Sequence, residues 1–101
     1  MQKKSFKKNR LEEAIKESLA QILITQSNDE AFVAVTITRV TLSKDLRKAT
    51  VLYTAFAGEQ GKLELKLNRA KGFLRTCLAK AIKTKYIPDL EFIWDEYEKN
   101  I

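Results

Sequence analysis

Eight lysines and arginines fall between residues 61 and 86, and Glu64 is the one acid among them. Five more, Lys3, Lys4, Lys7, Lys8 and Arg10, occupy the first ten residues with no acid at all. Cations grouped in this way neutralise phosphates and release condensed counterions. The partner they point to is a polyanion, above all a nucleic acid. A solvated surface that keeps a small domain dispersed is the plainer use of such charge. Residues 87–101 reverse the balance, with five acids against Lys99. The net charge of +6 on 101 residues is therefore concentrated in two blocks.

Other chemistries are poorly served. There is no histidine, so a histidine base, a histidine triad and a histidine metal ligand are all excluded. Cys77 is alone, so it forms neither an internal disulfide nor a multi-cysteine zinc site, and it falls on an apolar helix face as a buried structural thiol. Asp45, Glu59, Asp89, Glu91, Asp95, Glu96 and Glu98 show no spacing that pairs them for acid–base work or a metal. Gly58-Glu59-Gln60-Gly61-Lys62 is not a P-loop, because Phe56 stands at the first glycine position and Leu63 at the Ser/Thr position. The Gly-x-x-Gly clamp of RNA-binding KH domains joins two helices, whereas this one joins a strand to a helix and reads as a turn. No cofactor, metal or small-molecule substrate is expected. No apolar run approaches the roughly 20 residues of a bilayer span, and no hydrophobic stretch follows the basic N-terminus. The expectation is an intracellular, cytoplasmic protein that does not bind membranes.

The elements that would position the cations are legible. Asn9 with Glu12 reads as a helix cap and capping-box acid. Leu11, Ala14, Ile15, Leu19, Ile22 and Leu23 then share one helix face, and Ser27-Asn28-Asp29 ends it. Phe32 to Leu42 is rich in β-branched residues and predicts a strand. Its apolar phase changes between Ile37 and Val40, which calls for a bulge near Arg39. Ser43-Lys44-Asp45 is a turn, and Ala49 to Phe56 is a second, antiparallel strand. Leu63, Leu67, Ala70, Leu74, Cys77, Leu78, Ala81 and Ile82 line a long helical stretch with Gly72 in its middle, which implies a kink or a close approach. Pro88 stops it, and Leu90, Phe92 and Trp94 make a third strand. Phe73, Phe92 and Trp94 read as core, and Thr36, Thr38, Thr50 and Thr54 as an open polar sheet face. The order α-β-β-α-(kink)-α-β predicts an α+β domain with helices on one face of a three-stranded sheet. Residues 9–97 form that domain, residues 1–8 a flexible basic head, and residues 98–101 a short C-terminal end.

Several stretches in this order resemble the ribosome-binding factor A family. They are Thr36 to Leu46 with Ala49 to Tyr53, Leu67 to Arg75, Leu78 to Lys80, and Ile87 to Phe92 with Asp95, covering residues 6–97. The resemblance implies a type II KH-like fold in which an interhelical kink at Ala70-Lys71-Gly72 stands in place of the Gly-x-x-Gly loop. It also implies a bacterial, non-enzymatic assembly factor. Such a factor binds the immature small (30S) ribosomal subunit and its 16S rRNA, and supports late maturation and 5′-end processing, especially in the cold. The chain stops at Ile101, whereas many members of the family carry a longer C-terminal tail. Thr84-Lys85-Tyr86-Ile87 stands where the family often has arginine.

The candidate RNA-binding side chains are Lys3, Lys4, Lys7, Lys8, Arg10, Arg39, Lys66, Arg69, Lys71, Arg75 and Lys80, on a protein expected to be monomeric when free. The alternative is a general KH-like module for single-stranded RNA or DNA. A small nuclease or phosphotransferase and a peripheral membrane binder are further classes, and neither has a motif in its favour.

Overall fold

Leu11, Ile15, Leu19, Ile22 and Leu23 do fall on one stripe, and that stripe buries Ile15, Leu19, Ile22 and Leu23 against the sheet. The computed structural model describes the backbone of residues 2–96 and the side chains of residues 7–96. The side chains of residues 1–6, Lys3 and Lys4 among them, and residues 97–101 lie outside the described set.

Helix α1 runs Gln2–Thr25, so it begins well before the expected cap. Asn9 is an interior helical residue. Glu12 does not close a capping box; its Oε2 accepts from the Leu42 amide at 2.7 Å. A local capping signal lost here to a tertiary bond. The 24 residues of α1 extend about 36 Å at the helical rise of about 1.5 Å per residue.

A short 3-10 helix, Glu30–Ala34, takes the first residues assigned by sequence to the first strand. Asp29 starts it by accepting from the Ala31 amide at 2.9 Å. Phe32 and Ala34 are buried there while Val33 is exposed, opposite in parity to Ile37, which is buried in the strand that follows. Strand β1 is Val35–Leu42 and strand β2 is Lys48–Ala55, paired antiparallel. The register shifts between Ile37 and Arg39, where the change of apolar phase requires it. Phe56, expected as the last residue of β2, is an exposed aromatic.

Helix α2, Gln60–Arg69, and helix α3, Lys71–Ala81, carry the chain back across the sheet to β3, Asp89–Trp94. Strand β3 therefore lies parallel to β2, and the sheet order is β1-β2-β3. A parallel neighbour demands a crossover of this length. Leu63, Leu67, Leu74, Cys77 and Leu78 bury one face of the two helices, and Ala49, Val51, Tyr53, Leu90 and Phe92 meet them from the sheet. Cys77 is the buried thiol that its helix position implies. Phe73 departs from expectation. It sits on α3 next to Leu74 but points away from the core, and is 48% exposed.

Side chains cover both edges of the sheet. The Asn68 amide donates to the Phe92 carbonyl at 3.1 Å and accepts from the Phe92 amide at 2.9 Å. Glu64, one turn earlier on α2, accepts from the Trp94 amide at 3.0 Å. Along β3 these two residues do what another strand would do. Beyond β3, Asp95 accepts from the Thr38 hydroxyl at 2.6 Å and so ties the residue after β3 to the β1 bulge. Thr38 is thus bonded within the fold, while Thr36 is exposed and Thr50 and Thr54 are half-buried.

Candidate nucleic-acid interface

Two connections must lie at the same end of this topology. Lys48 opens β2 and Asp89 opens β3 opposite it, because the strands are parallel. The Ser43–Arg47 turn before β2 and the Ile82–Pro88 loop before β3 are therefore neighbours, joined by the Asp89 amide donating to the Arg47 carbonyl at 2.8 Å. Helix α1 passes the same end with its N-terminal half.

The result is a groove of about 700 Å³ between three separate segments. Lys7, Lys8 and Arg10 of α1, Lys44 of the turn and Lys83 of the loop bring five cations to it. Leu11, Ala14, Leu46 and Ile82 supply its apolar lining. Among the described residues no acid lines it. A second groove shares Leu11, Leu46 and Thr84 with the first and adds Arg47, Arg75, Lys85 and Tyr86, together with the carboxylates of Asp45 and Asp89. Tyr86 is 73% exposed, with the Lys85 ammonium 5.7 Å from its ring centre.

The loop that carries Lys83, Lys85 and Tyr86 is held by Arg75. Its Nε donates to the Pro88 carbonyl at 3.1 Å and its Nη2 to the Ile87 carbonyl at 2.9 Å. Arg75, a candidate phosphate contact, is thus also a brace for the loop. The turn is held as firmly. Asp45 accepts from the Ser43 hydroxyl at 2.7 Å and from the Arg47 amide at 3.1 Å. The Ser43 hydroxyl bond, then the Arg47 amide, holds the Asp45 carboxyl below its ordinary range.

The interhelical break is also where the sequence places it. Ala70 ends α2 and begins α3 with φ −85° and ψ 1°, in the sparsely populated bridge region. Lys66 and Arg69 lie there with Phe73, Phe32 and the chain after α1. Lys71 turns the other way, toward Lys48, Asn68, Asp89 and Glu91. Lys66 is paired with Asp29 at 3.3 Å. Arg39 lies by Glu12, Glu13 and Lys16 between α1 and β1, and Lys80 is exposed on α3. The break and the cationic groove share no residue and flank opposite ends of α1. The structure thus joins Lys7, Lys8 and Arg10 to Lys44 and Lys83, and separates them from Lys66, Arg69 and Lys71. The candidates taken from the sequence do not include Lys44, Arg47, Lys83, Lys85 and Tyr86, which the fold adds to this end of the domain. The signal that finds them is topological, since parallel β2 and β3 place their leading connections side by side.

Two expected outcomes arise here. A Cβ on Gly72 would meet open space, so no close approach within the chain requires glycine. Gly72→Ala is therefore expected to stabilise the fold by about 0.5–1 kcal/mol, read from denaturant midpoints. The second concerns Asp29, whose carboxyl is held below its ordinary range by the Ala31 amide bond and, after that, by Lys66. A depressed folded pKa contributes stability above the unfolded value of 3.8 that is lost as pH falls through the folded one. Asp29→Asn keeps a capping oxygen but not the charge. It is expected to flatten the acid limb of stability below about pH 4, by well under about 1 kcal/mol at this half-exposed site.

Comparison with known proteins agrees with this architecture. The family model of ribosome-binding factor A matches residues 7–101. Ribosome-binding factor A of Thermodesulfovibrio yellowstonii is 41% identical over 88 residues, covering 86% of this chain and 75% of the relative. The crystal structure of ribosome-binding factor A from Thermus thermophilus superposes with a TM-score of 0.77 at 31% identity, over 86% of this chain and 93% of that one. The Thermus thermophilus factor fitted into the cryo-electron-microscopy map of a 30S complex gives a TM-score of 0.73 at 32% identity, with the same coverage. The shared fold is α+β and KH-like, a three-stranded sheet with its helices on one face.

Proposed function

The chain belongs to the ribosome-binding factor A family, and on that premise we propose that it binds the immature small (30S) ribosomal subunit through its 16S rRNA. It acts as an assembly factor in late maturation and 5′-end processing, with its greatest importance in the cold. The observation that carries this reading is the meeting of three cationic segments at one end of the domain. Segments far apart in sequence supply these charges, which suits a folded RNA surface better than a linear motif.

The mechanism is binding without catalysis. Lysine and arginine side chains replace the counterions of rRNA phosphates, and the firmly held turn and loop fix where those charges stand. Asp45, Glu64 and Asp95 are engaged in hydrogen bonds that hold the fold. No helix among the described residues is long and apolar enough to cross a membrane. The protein works in the cytoplasm as a monomer that docks on the subunit.

Cosedimentation with purified small subunits tests the proposal. The protein is expected in the subunit fraction at about 0.1 M salt, with affinity falling by a log–log slope of roughly 0.7–0.9 per phosphate contacted. Absence from that fraction at low salt would sink it.

A further inference from the structure

The cationic groove has a feature that phosphate binding alone does not use. Duplex RNA presents a charged, convex backbone, and a flat basic surface suffices to hold it. Here the cations surround an aliphatic floor of Leu11, Ala14, Leu46 and Ile82, and an exposed aromatic, Tyr86, stands in the adjoining groove.

Leu46 is the telling residue. It has φ 63°, a left-handed conformation that favours glycine or asparagine and is costly for leucine. Burial does not offset that cost, because Leu46 remains 42% exposed. Leu46 lines both grooves, the aliphatic one and the one that holds Tyr86. A leucine held this way is explained if something apolar covers it.

We infer that this groove binds unpaired nucleotides of an RNA strand, with one base on the Leu46–Ile82 floor, a neighbour stacked on Tyr86, and the phosphates on Lys44, Lys83 and Lys7. An apolar slot, an open aromatic face and cations beside both are what a single strand needs, and a paired base cannot reach them. Lys85 and Arg47 flank Tyr86 and supply charge along the same path. An acidic amphipathic peptide would satisfy the charge and the floor but would make no use of the aromatic face. The inference rests on the rRNA-binding reading and narrows it to an unpaired stretch.

The test uses the full chain, a labelled uridine oligonucleotide, and a blunt RNA duplex with the same number of phosphates, both read by fluorescence anisotropy. The oligonucleotide is expected to bind more tightly than the duplex. Leu46→Asn suits the left-handed backbone and so keeps the fold while removing the floor. Tyr86→Ala removes an exposed ring. Each is expected to weaken oligonucleotide binding by about five- to a hundredfold and leave duplex binding unchanged. Equal affinity for the two RNAs, or variants without effect on the oligonucleotide, overturns the inference. So does an acidic leucine-rich peptide that displaces nothing yet binds in a Leu46-dependent way. Cosedimentation of the same variants separates the two readings: retained subunit binding with no preference for single strands overturns this inference alone, whereas absent subunit binding by the unaltered protein overturns the proposed function.

Discussion

Lys7→Glu, Lys44→Glu and Lys83→Glu, introduced together, are expected to lower affinity for the small ribosomal subunit by roughly a hundredfold at about 0.1 M salt. One residue is taken from each segment that meets at the groove, and all three side chains are exposed. If each contacts one phosphate, the slope of log affinity against log salt falls by about 2–3. Exposed substitutions of this kind change stability by only about 0.5 kcal/mol, so a lost complex reports the interface and not the fold. The companion triple, Lys66→Glu, Arg69→Glu and Lys71→Glu, reverses as much charge at the interhelical break. It is expected to cost less, because Lys66 is already paired with Asp29 and Lys71 lies beside Asp89 and Glu91. A larger loss from the second triple than from the first, in the same binding assay, would move the interface to the break.

Phe92→Ala should have the largest effect on the fold. Phe92 is 1% exposed in β3 and meets the Tyr53 ring edge-to-face at 6.4 Å. Removing such a ring costs about 3–5 kcal/mol, through lost burial and the cavity left behind. A domain of this size is stable by only about 5–15 kcal/mol. The expected fall in Tm is about 15–30 °C, measured by thermal or denaturant unfolding. Tyr53 loses its edge-to-face partner in the same substitution. Its hydroxyl is buried, and desolvation, aided by the nearby Glu64 carboxylate, raises its ionisation well above the ordinary tyrosine range. Phe92→Leu retains most of the volume and is expected to cost about 1–2 kcal/mol.

The residues that were legible in the sequence are those whose signal is local. The phase change between Ile37 and Val40 located the bulge, because side chains on a strand alternate with a period of two whatever lies beyond. Gly72 and the broken run of small and basic residues marked the interhelical turn to within two positions of Ala70. The failures are non-local. Glu12 looked like a capping acid until Leu42, thirty residues away, offered an unpaired amide. Phe73 has the hydrophobicity of a core residue, but its position on α3 lies outside the stripe of Leu74, Cys77 and Leu78 that meets the core. The groove is the clearest case. Lys7, Lys44 and Lys83 have no common motif, and only the parallel pairing of β2 with β3 brings them together. Arg75 has a second role that its charge does not announce, since it also braces a loop.

A three-stranded sheet has two edges for every three strands, so a large share of its backbone is open to pairing with foreign chains. In this protein Glu12 occupies the Leu42 amide on one edge, and Asn68 with Glu64 occupies Phe92 and Trp94 on the other. A neighbouring polypeptide that is still unfolded finds those hydrogen-bonding groups already taken, and two of the blocking groups repel acidic segments as well. The covered edges thus guard a small domain against templated aggregation.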